Sequence, residues 1–181
     1  MQLKVGQHML PIILTPHSTR IGLAGQGDAL SARISLLSEA GIAPHALFED
    51  RAPTASELAG LDILFVAGLE ESVSRETYAK AKASGILVNV EDIPKLCDFY
   101  VPAQIRRGEL LITVSTGGRS PGLAARVRET LGELFGAEWE ARVDEVAISR
   151  ARWRASGLAP EEVAQRTRDM IDQKGWLGRV S

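Results

Sequence analysis

The chain has 181 residues, 45% of them apolar and 24% charged, which is enough to form a globular core in one to one and a half domains. Its net charge is −2, and its apolar runs are far shorter than the roughly 20 residues that cross a bilayer, so no membrane span is expected. A single cysteine argues against a disulfide framework or a Cys-based metal site, and we expect a cytoplasmic protein without a metal held by its own side chains.

Residues 1–101 alternate between strand and helix patterns. Short apolar segments at 21–24, 43–50, 61–67 and 86–92 predict strands, and 61–67 is apolar apart from Asp62, as expected of a strand covered on both faces. Helical spacing at 30–40 and 72–84 ends at Gly41 and Gly85, a frequent position for glycine after a helix. This order predicts an α/β fold with a Rossmann-like, doubly wound parallel sheet.

Ligands of such sheets bind at the carboxyl ends of the strands. The residues expected along that edge, in chain order, are Gly25, Gln26 and Gly27, then Glu49 and Asp50, then Gly68, and finally Glu91 and Asp92. The first turn contains two of the three glycines of a dinucleotide fingerprint, with Leu30 in place of the third. A tight turn without a ligand explains this pattern as well, so both interpretations remain open.

The turn after the second strand carries acids about 20 residues beyond the glycine turn. Glu49 and Asp50 can accept hydrogen bonds from a ribose, and they would repel a 2′-phosphate. If a dinucleotide binds, the pattern therefore favours NAD over NADP.

The second part of the chain has a different pattern. Segment 99–116 predicts an antiparallel hairpin around Arg107 and Gly108, and Ser120-Pro121 predicts the start of a helix that ends near Gly136. The apolar side of this helix has little core of its own, so we expect residues 102–136 to form a homodimer contact. Two further helices in 137–181 predict a small helical domain.

Positive charge is concentrated between residues 102 and 128, where five arginines accompany one glutamate. This suggests an anionic ligand around the turn "STGGRSP", with solvated surface charge as the equally acceptable alternative. Nucleic acid is disfavoured because the chain is slightly acidic and no aromatic residues are interleaved with the arginines.

The segment "LVNVEDIPKLCDFYVPAQIRRGELLITVSTGGRSPGLAARVRE" resembles the signature region of the siroheme synthase N-terminal family, and "GQGDALSARISLLSEAG" extends the likeness over most of residues 10–136. The family comprises precorrin-2 dehydrogenases and sirohydrochlorin ferrochelatases. The resemblance implies an NAD-binding domain, a dimerisation region and a helical domain, with the active site in the cleft between them. It also implies NAD as cofactor, a tetrapyrrole substrate and ferrous iron as a second substrate of some members.

The resemblance further implies roles for individual residues. Asp92 corresponds to the family aspartate of acid-base catalysis. Asn89 and Ser115, Thr116, Gly117, Gly118, Arg119 and Ser120 are expected to contact the substrate, with Arg119 binding a carboxylate. Gly25, Gln26, Gly27, Asp28, Ala29, Glu49, Asp50 and Gly68 are expected to contact NAD.

Three functions remain open at this point. The first is NAD-dependent oxidation of precorrin-2 to sirohydrochlorin, with or without iron insertion. The second is a chelatase or tetrapyrrole-binding protein whose altered glycine turn, with Leu30, binds NAD poorly. The third is a nucleotide-sensing module without catalysis.

Overall fold

The computed structural model of the protein describes residues 9–178, so the first eight and last three residues of the predicted domains lie outside it. The chain divides between Val101 and Pro102 into two compact units. The first is the predicted Rossmann-like domain. The second contains both the hairpin segment and the C-terminal helices, and its division into a dimerisation region and a helical domain stays a prediction.

A four-stranded parallel sheet forms the centre of the first unit. Its strands are β1 (Ile21–Gly25), β2 (Ala46–Glu49), β3 (Ile63–Ala67) and β4 (Leu87–Val90), and their order is β2-β1-β3-β4. The helices are α1 (Gly27–Glu39), α2 (Ala55–Leu58) and α3 (Glu71–Ala83). The chain passes from β1 to β2 on one side and then to β3 on the other, so the topological switch point lies between β1 and β3.

Two apolar clusters cover the two faces of the sheet. The α1 face contains Ile21, Leu23, Leu30, Leu37, Ile63 and Phe65. The opposite face, covered by α2 and α3, contains Ala24, Phe48, Leu58, Leu64, Val66, Ala81, Ile86, Val88, Val90 and Leu96. All residues of β1 and β3 are buried, because these central strands pack on both faces. This confirms the interpretation of the apolar run at 61–67.

Helix α2 was not predicted. A capping box starts this four-residue helix, because the Thr54 hydroxyl accepts a hydrogen bond from Glu57 N (3.3 Å) while the Glu57 carboxylate accepts one from Thr54 N (2.8 Å). Leu58 then anchors α2 in the core, where it is fully buried. The outer edge of β2 faces no further strand within the described residues.

The second unit begins with the predicted hairpin. Strands β5 (Ala103–Arg107) and β6 (Leu110–Val114) pair antiparallel, with Arg107 opposite Leu110. Helix α4 (Pro121–Leu134) follows, and the Ser120 hydroxyl accepts a hydrogen bond from Leu123 N at its start. Helices α5 (Trp139–Ala155) and α6 (Pro160–Lys174) then pack against each other, and Gly175 ends α6 with a φ of 62°. No helix within residues 9–178 is long and apolar enough to cross a membrane.

Candidate active site

The turn after β1 makes close backbone contact with the end of β3. Gln26 N donates a hydrogen bond to Ala67 O at 3.1 Å, and a Cβ atom placed on Gly25 would lie only 2.2 Å from the same oxygen. No side chain fits at position 25 unless the backbone moves. The first fingerprint glycine is therefore required by strand packing at the switch point.

The N-terminus of α1 is open on its outer side. Gly27 has a φ of 61°, and a Cβ atom placed on it would meet no heavy atom within 4 Å. Gln26 makes no side-chain cap, so the first N–H groups of the helix lack both an intrahelical acceptor and a capping oxygen. Such N–H groups, at the positive end of a helix dipole, bind phosphate. The turn fits the pyrophosphate of a dinucleotide.

Gly68 and Ala29 allow the turn after β3 to approach the same helix. A Cβ atom on Gly68 would lie 2.5 Å from Gln26 O and 3.2 Å from Ala29 Cβ. Asp28 is exposed in the first turn of α1, whereas Leu30 is buried among the apolar residues of the α1 face. The large residue at the third fingerprint position is thus accommodated in the core.

The acids after β2 lie beside the glycine turn. Asp50 N donates a hydrogen bond to Gly25 O at 3.1 Å, and Glu49 pairs with Gly25 in the strand register. Both acids are exposed, and Asp50 has a φ of 56°, in the left-handed region that few non-glycine residues adopt. The structure therefore brings these carboxylates to the edge that also carries Gly25, Gly27 and Gly68.

The next residue, Arg51, forms an ion pair that sequence analysis missed. Its guanidinium donates two hydrogen bonds to the carboxylate of Glu57, of 2.9 and 2.6 Å. These bonds, together with those from the Thr54 backbone and hydroxyl, hold the pKa of Glu57 at about 2. The capping-box spacing of Thr54 and Glu57 is the signal that could have identified this segment.

Asp92 lies in the turn after β4, and its side chain is exposed. Its φ is 59°, so the backbone at this position is also in the left-handed region. The neighbouring Glu91 accepts a hydrogen bond from Arg33 of α1 at 3.4 Å, and the Arg33 guanidinium lies 5.7 Å from the centre of the Phe65 ring. Contacts to α1 and β3 thus fix the segment immediately before Asp92, while the Asp92 carboxylate is accessible to solvent.

Asn89 lies within β4 and is only 6% exposed. Its amide donates a hydrogen bond to Phe99 O at 2.9 Å, which ties residues 97–99 to the strand. Its Oδ1 atom is buried and has no hydrogen-bond partner within the described residues. The side chain thus joins β4 to the segment that follows the Asp92 turn, and a contact to substrate stays a prediction.

Cys97 is a packing residue of the same region. Its thiol donates a hydrogen bond to Val90 O at 3.1 Å, and burial raises the pKa of the thiol. A raised pKa leaves little thiolate at neutral pH, which argues against a nucleophile here. Between residues 9 and 178, no three acidic, histidine or cysteine side chains gather to hold a metal ion.

The turn of residues 115–120, which belongs to the second unit, is held by its own hydrogen bonds. The Thr116 hydroxyl donates to Ser120 O and accepts from Ser120 N, at 3.0 and 3.1 Å, and Gly117 N donates to the Ser115 hydroxyl. Gly117 and Gly118 have φ values of 65° and 74°. This turn presents the exposed Arg119 side chain, which forms no ion pair or hydrogen bond within the described part of the chain.

The other arginines near this turn have different surroundings. Arg107 donates hydrogen bonds to Phe135 O (2.9 Å) and Gly132 O (3.3 Å), and so satisfies the last carbonyls of α4. Arg126 and Arg128 both lie within 4 Å of the Glu129 carboxylate, at 3.1 and 3.9 Å. Arg106 is exposed like Arg119, and neither side chain forms an ion pair within the described residues, so both charges are available to an anion.

Two family profiles and several curated proteins match the chain. The family profile described as putative NAD(P)-binding matches residues 12–103, and the profile described as sirohaem biosynthesis protein central matches residues 107–134. A siroheme synthase of Nitrosococcus oceani is 31% identical over 144 residues, a match that covers 70% of this chain and 31% of that protein. The siroheme biosynthesis protein met8 of Schizosaccharomyces pombe is 35% identical over 103 residues, covering 57% of this chain and 39% of that protein.

A solved structure, SirC, precorrin-2 dehydrogenase, shares the fold with a TM-score of 0.75 and 19% identity, covering 95% of this chain and 94% of that one. The chain spans about a third of the length of the curated relatives that it matches. The first family profile alone covers half of the chain, and the second follows it directly. The chain therefore belongs to the siroheme synthase N-terminal family, with a putative NAD(P)-binding domain followed by the sirohaem central segment.

Proposed function

We propose that the protein oxidises precorrin-2 to sirohydrochlorin with NAD in siroheme biosynthesis. The observation that carries the proposal is the carboxyl edge of the parallel sheet, which combines an open helix N-terminus at Gly27 with an exposed carboxylate at Asp92. Membership of the siroheme synthase N-terminal family and the similarity to siroheme synthases support the choice of substrate.

The first unit supplies the binding groups for the dinucleotide. The N–H groups at the start of α1 hold the pyrophosphate, with Gly25, Gln26, Gly27, Asp28, Ala29 and Gly68 forming the turns around it. Glu49 and Asp50 accept hydrogen bonds from the ribose. When NAD is bound, its nicotinamide ring supplies the acceptor for a hydride.

Asp92 accepts the proton that the oxidation releases. Conversion of precorrin-2 to sirohydrochlorin removes two hydrogen atoms, of which one leaves as a hydride and the other as a proton. The proton passes to the Asp92 carboxylate and from there to solvent, so the charge balances. An exposed carboxylate is a suitable base because it returns the proton to water before the next turnover.

Substrate contacts in the second unit belong to the same proposal. Precorrin-2 carries several carboxylates, and Arg119 pairs with one of them through a charge-assisted hydrogen bond. Ser115, Thr116, Gly117, Gly118 and Ser120 form the turn that carries Arg119, and they are further proposed contacts of the substrate. Asn89, within β4, is a further proposed contact of the substrate.

An aspartate-to-asparagine exchange tests the catalytic part of the proposal. We expect Asp92→Asn to lower precorrin-2 turnover about 100-fold or more, because it removes the proton acceptor, while NADH binding stays at the wild-type level. Asp144→Asn, at an exposed position of α5, makes the same change in charge and serves as the control. Full turnover by Asp92→Asn would contradict the role of Asp92.

Iron insertion is a second candidate activity of the same residue. Ferrous iron enters sirohydrochlorin as two pyrrole protons leave, and the Asp92 carboxylate can accept them in turn. The buried position of Leu30 argues against the alternative in which an altered glycine turn binds NAD poorly and leaves only a chelatase or tetrapyrrole-binding protein. An assay with sirohydrochlorin and ferrous ion, in wild type and Asp92→Asn, tests iron insertion separately from oxidation.

We also propose that α4 forms a homodimer contact. Leu123, Val127 and Leu134 recur at helical spacing on α4 and are 56%, 37% and 65% exposed in the single chain. Burial of such a stripe against a second copy removes apolar surface from water. The protein is further proposed to act in the cytoplasm, without nucleic acid or membrane partners.

A further inference from the structure

The end of β2 places an arginine where a dinucleotide-binding protein distinguishes its two cofactors. In such folds, an acid at this position bonds the 2′-hydroxyl of NAD, and a nearby arginine accommodates the 2′-phosphate of NADP. This chain carries both types of side chain in sequence, with Glu49 and Asp50 followed directly by Arg51. The preference for one cofactor therefore depends on whether the Arg51 guanidinium is available.

The Arg51 guanidinium forms an ion pair with Glu57. Arg51 Nη1 lies 2.9 Å from Glu57 Oε2, and Nη2 lies 2.6 Å from Oε1, which is the two-point geometry of a strong arginine–carboxylate pair. Nη1 also approaches Ala52 O at 3.4 Å, and the guanidinium lies 5.5 Å from the centre of the Phe48 ring. The donors that would bind a phosphate are thus directed to α2 and its preceding loop.

The Glu57 carboxylate is itself held in place. Its Oε2 atom accepts hydrogen bonds from Thr54 N at 2.8 Å and from the Thr54 hydroxyl at 2.9 Å, as part of the capping box of α2. Phe48 and Leu58 are buried on either side of this segment in the sequence and fix it to the core. The ion pair is therefore built on an anchored helix start, although the Arg51 side chain is 50% exposed.

We infer that Glu57 sets a preference for NAD over NADP by holding Arg51 away from the position of a 2′-phosphate. The inference rests on the proposed binding of a dinucleotide at this edge. With Arg51 neutralised, Glu49 and Asp50 leave the end of β2 negatively charged, which favours a ribose hydroxyl and repels a phosphate. Glu57 makes no contact with the cofactor and acts through Arg51.

Glu57→Gln removes the ion pair with Arg51 but keeps the helix cap. Glutamine at the third position of a capping box still accepts a hydrogen bond from the Thr54 backbone, so α2 keeps its start. The exchange removes the charge that binds Arg51 and leaves the guanidinium able to turn toward a phosphate. A released, exposed cation contributes about a factor of five to the affinity for a doubly charged group.

The experiment measures the dissociation constants of NADPH and NADH by the change in their fluorescence on binding. We expect Glu57→Gln to bind NADPH at least about fivefold more tightly than wild type, with the NADH constant changed less than about twofold. The double variant Glu57→Gln/Arg51→Gln should lose the gain, because the cation is absent. Glu145→Gln, which releases Lys174 in the second unit through the same change in charge, should resemble wild type.

The outcomes separate the inference from the proposed function. Wild type that binds NADH, combined with Glu57→Gln that gains no affinity for NADPH, overturns the inference alone. A gain that persists without Arg51, or that appears equally in Glu145→Gln, overturns it as well, since the effect would then be one of overall charge. Wild type that binds neither nucleotide overturns the proposed function and the inference together. A gain that shrinks as salt concentration rises supports the electrostatic cause.

Discussion

Replacement of Gly25 by alanine is the most direct test of the packing at the switch point. A Cβ atom at this position would lie 2.2 Å from the carbonyl oxygen of Ala67 and 3.2 Å from its carbonyl carbon. Carbon and oxygen atoms that are not bonded rarely approach closer than about 3 Å, so the backbones of β1 and β3 must separate by about 1 Å. The hydrogen bond from Gln26 N to Ala67 O lies at the same point and would be distorted.

The expected loss of stability follows from this displacement. Overfilling a packed core costs about 1–3 kcal/mol, and the upper part of that range applies because the opposing atom belongs to the backbone. A shift of the glycine turn also moves the N–H groups at the start of α1, so we expect the dissociation constant of NADH to rise at least about tenfold.

Gly22→Ala in the same strand is the matched control. A Cβ atom on Gly22 would lie 2.6 Å from Leu61 Cδ1, which is the end of a side chain that can rotate. Its stability loss should be smaller and its NADH affinity close to that of wild type. Urea unfolding followed by far-ultraviolet circular dichroism gives the stability, and NADH fluorescence gives the affinity. A Gly25→Ala variant within about 0.5 kcal/mol of wild type, with unchanged NADH affinity, would refute the reasoning.

Three further predictions concern charge and association. Arg119→Ala should raise the KM for precorrin-2 about tenfold with kcat nearly unchanged, as expected for loss of a binding contact, and an unchanged KM in steady-state kinetics would exclude the proposed role. The carboxyl of Glu57 should titrate near pH 2 in an NMR experiment, because its pKa lies below the ordinary value of 4.5. The ion pair with Arg51 is then complete above pH 4.5 and is lost as the pH falls through about 2. A midpoint near 4.5 would argue against the pair. Leu134→Lys should convert the proposed dimer to a monomer in sedimentation velocity, whereas a monomeric wild type would disprove the dimer.

The elements of the parallel sheet could be predicted because their signals are local. The apolar runs of the strands, the helical spacing after the glycine turn and the glycines that end helices each depend on a few neighbouring residues. The order of these strands and helices predicted the Rossmann-like fold. It also predicted that the glycines and acids lie at the carboxyl edge of the sheet. Helix α2 was missed although the capping-box spacing of Thr54 and Glu57 was present, because four residues are too few to show a helical period.

Contacts between residues distant in sequence could not be predicted. Arg107 was grouped with arginines that suggested an anionic ligand, but it bonds the last carbonyls of α4, 25 and 28 residues away. The amide of Asn89 donates a hydrogen bond to Phe99 O, a partner that the sequence does not indicate, and its contact with substrate stays a prediction. The pair between Arg33 and Glu91 joins positions 58 residues apart. Only the tertiary structure reveals which polar groups are already satisfied.

The stoichiometry of the reaction tests the central claim most directly. Purified protein is mixed with precorrin-2 and NAD without oxygen, and NADH and sirohydrochlorin are measured together by absorbance. The account predicts that both products form in equal amounts and that neither forms when NAD is omitted. Bound NADH without any formation of sirohydrochlorin, or sirohydrochlorin that appears without NADH, would contradict it.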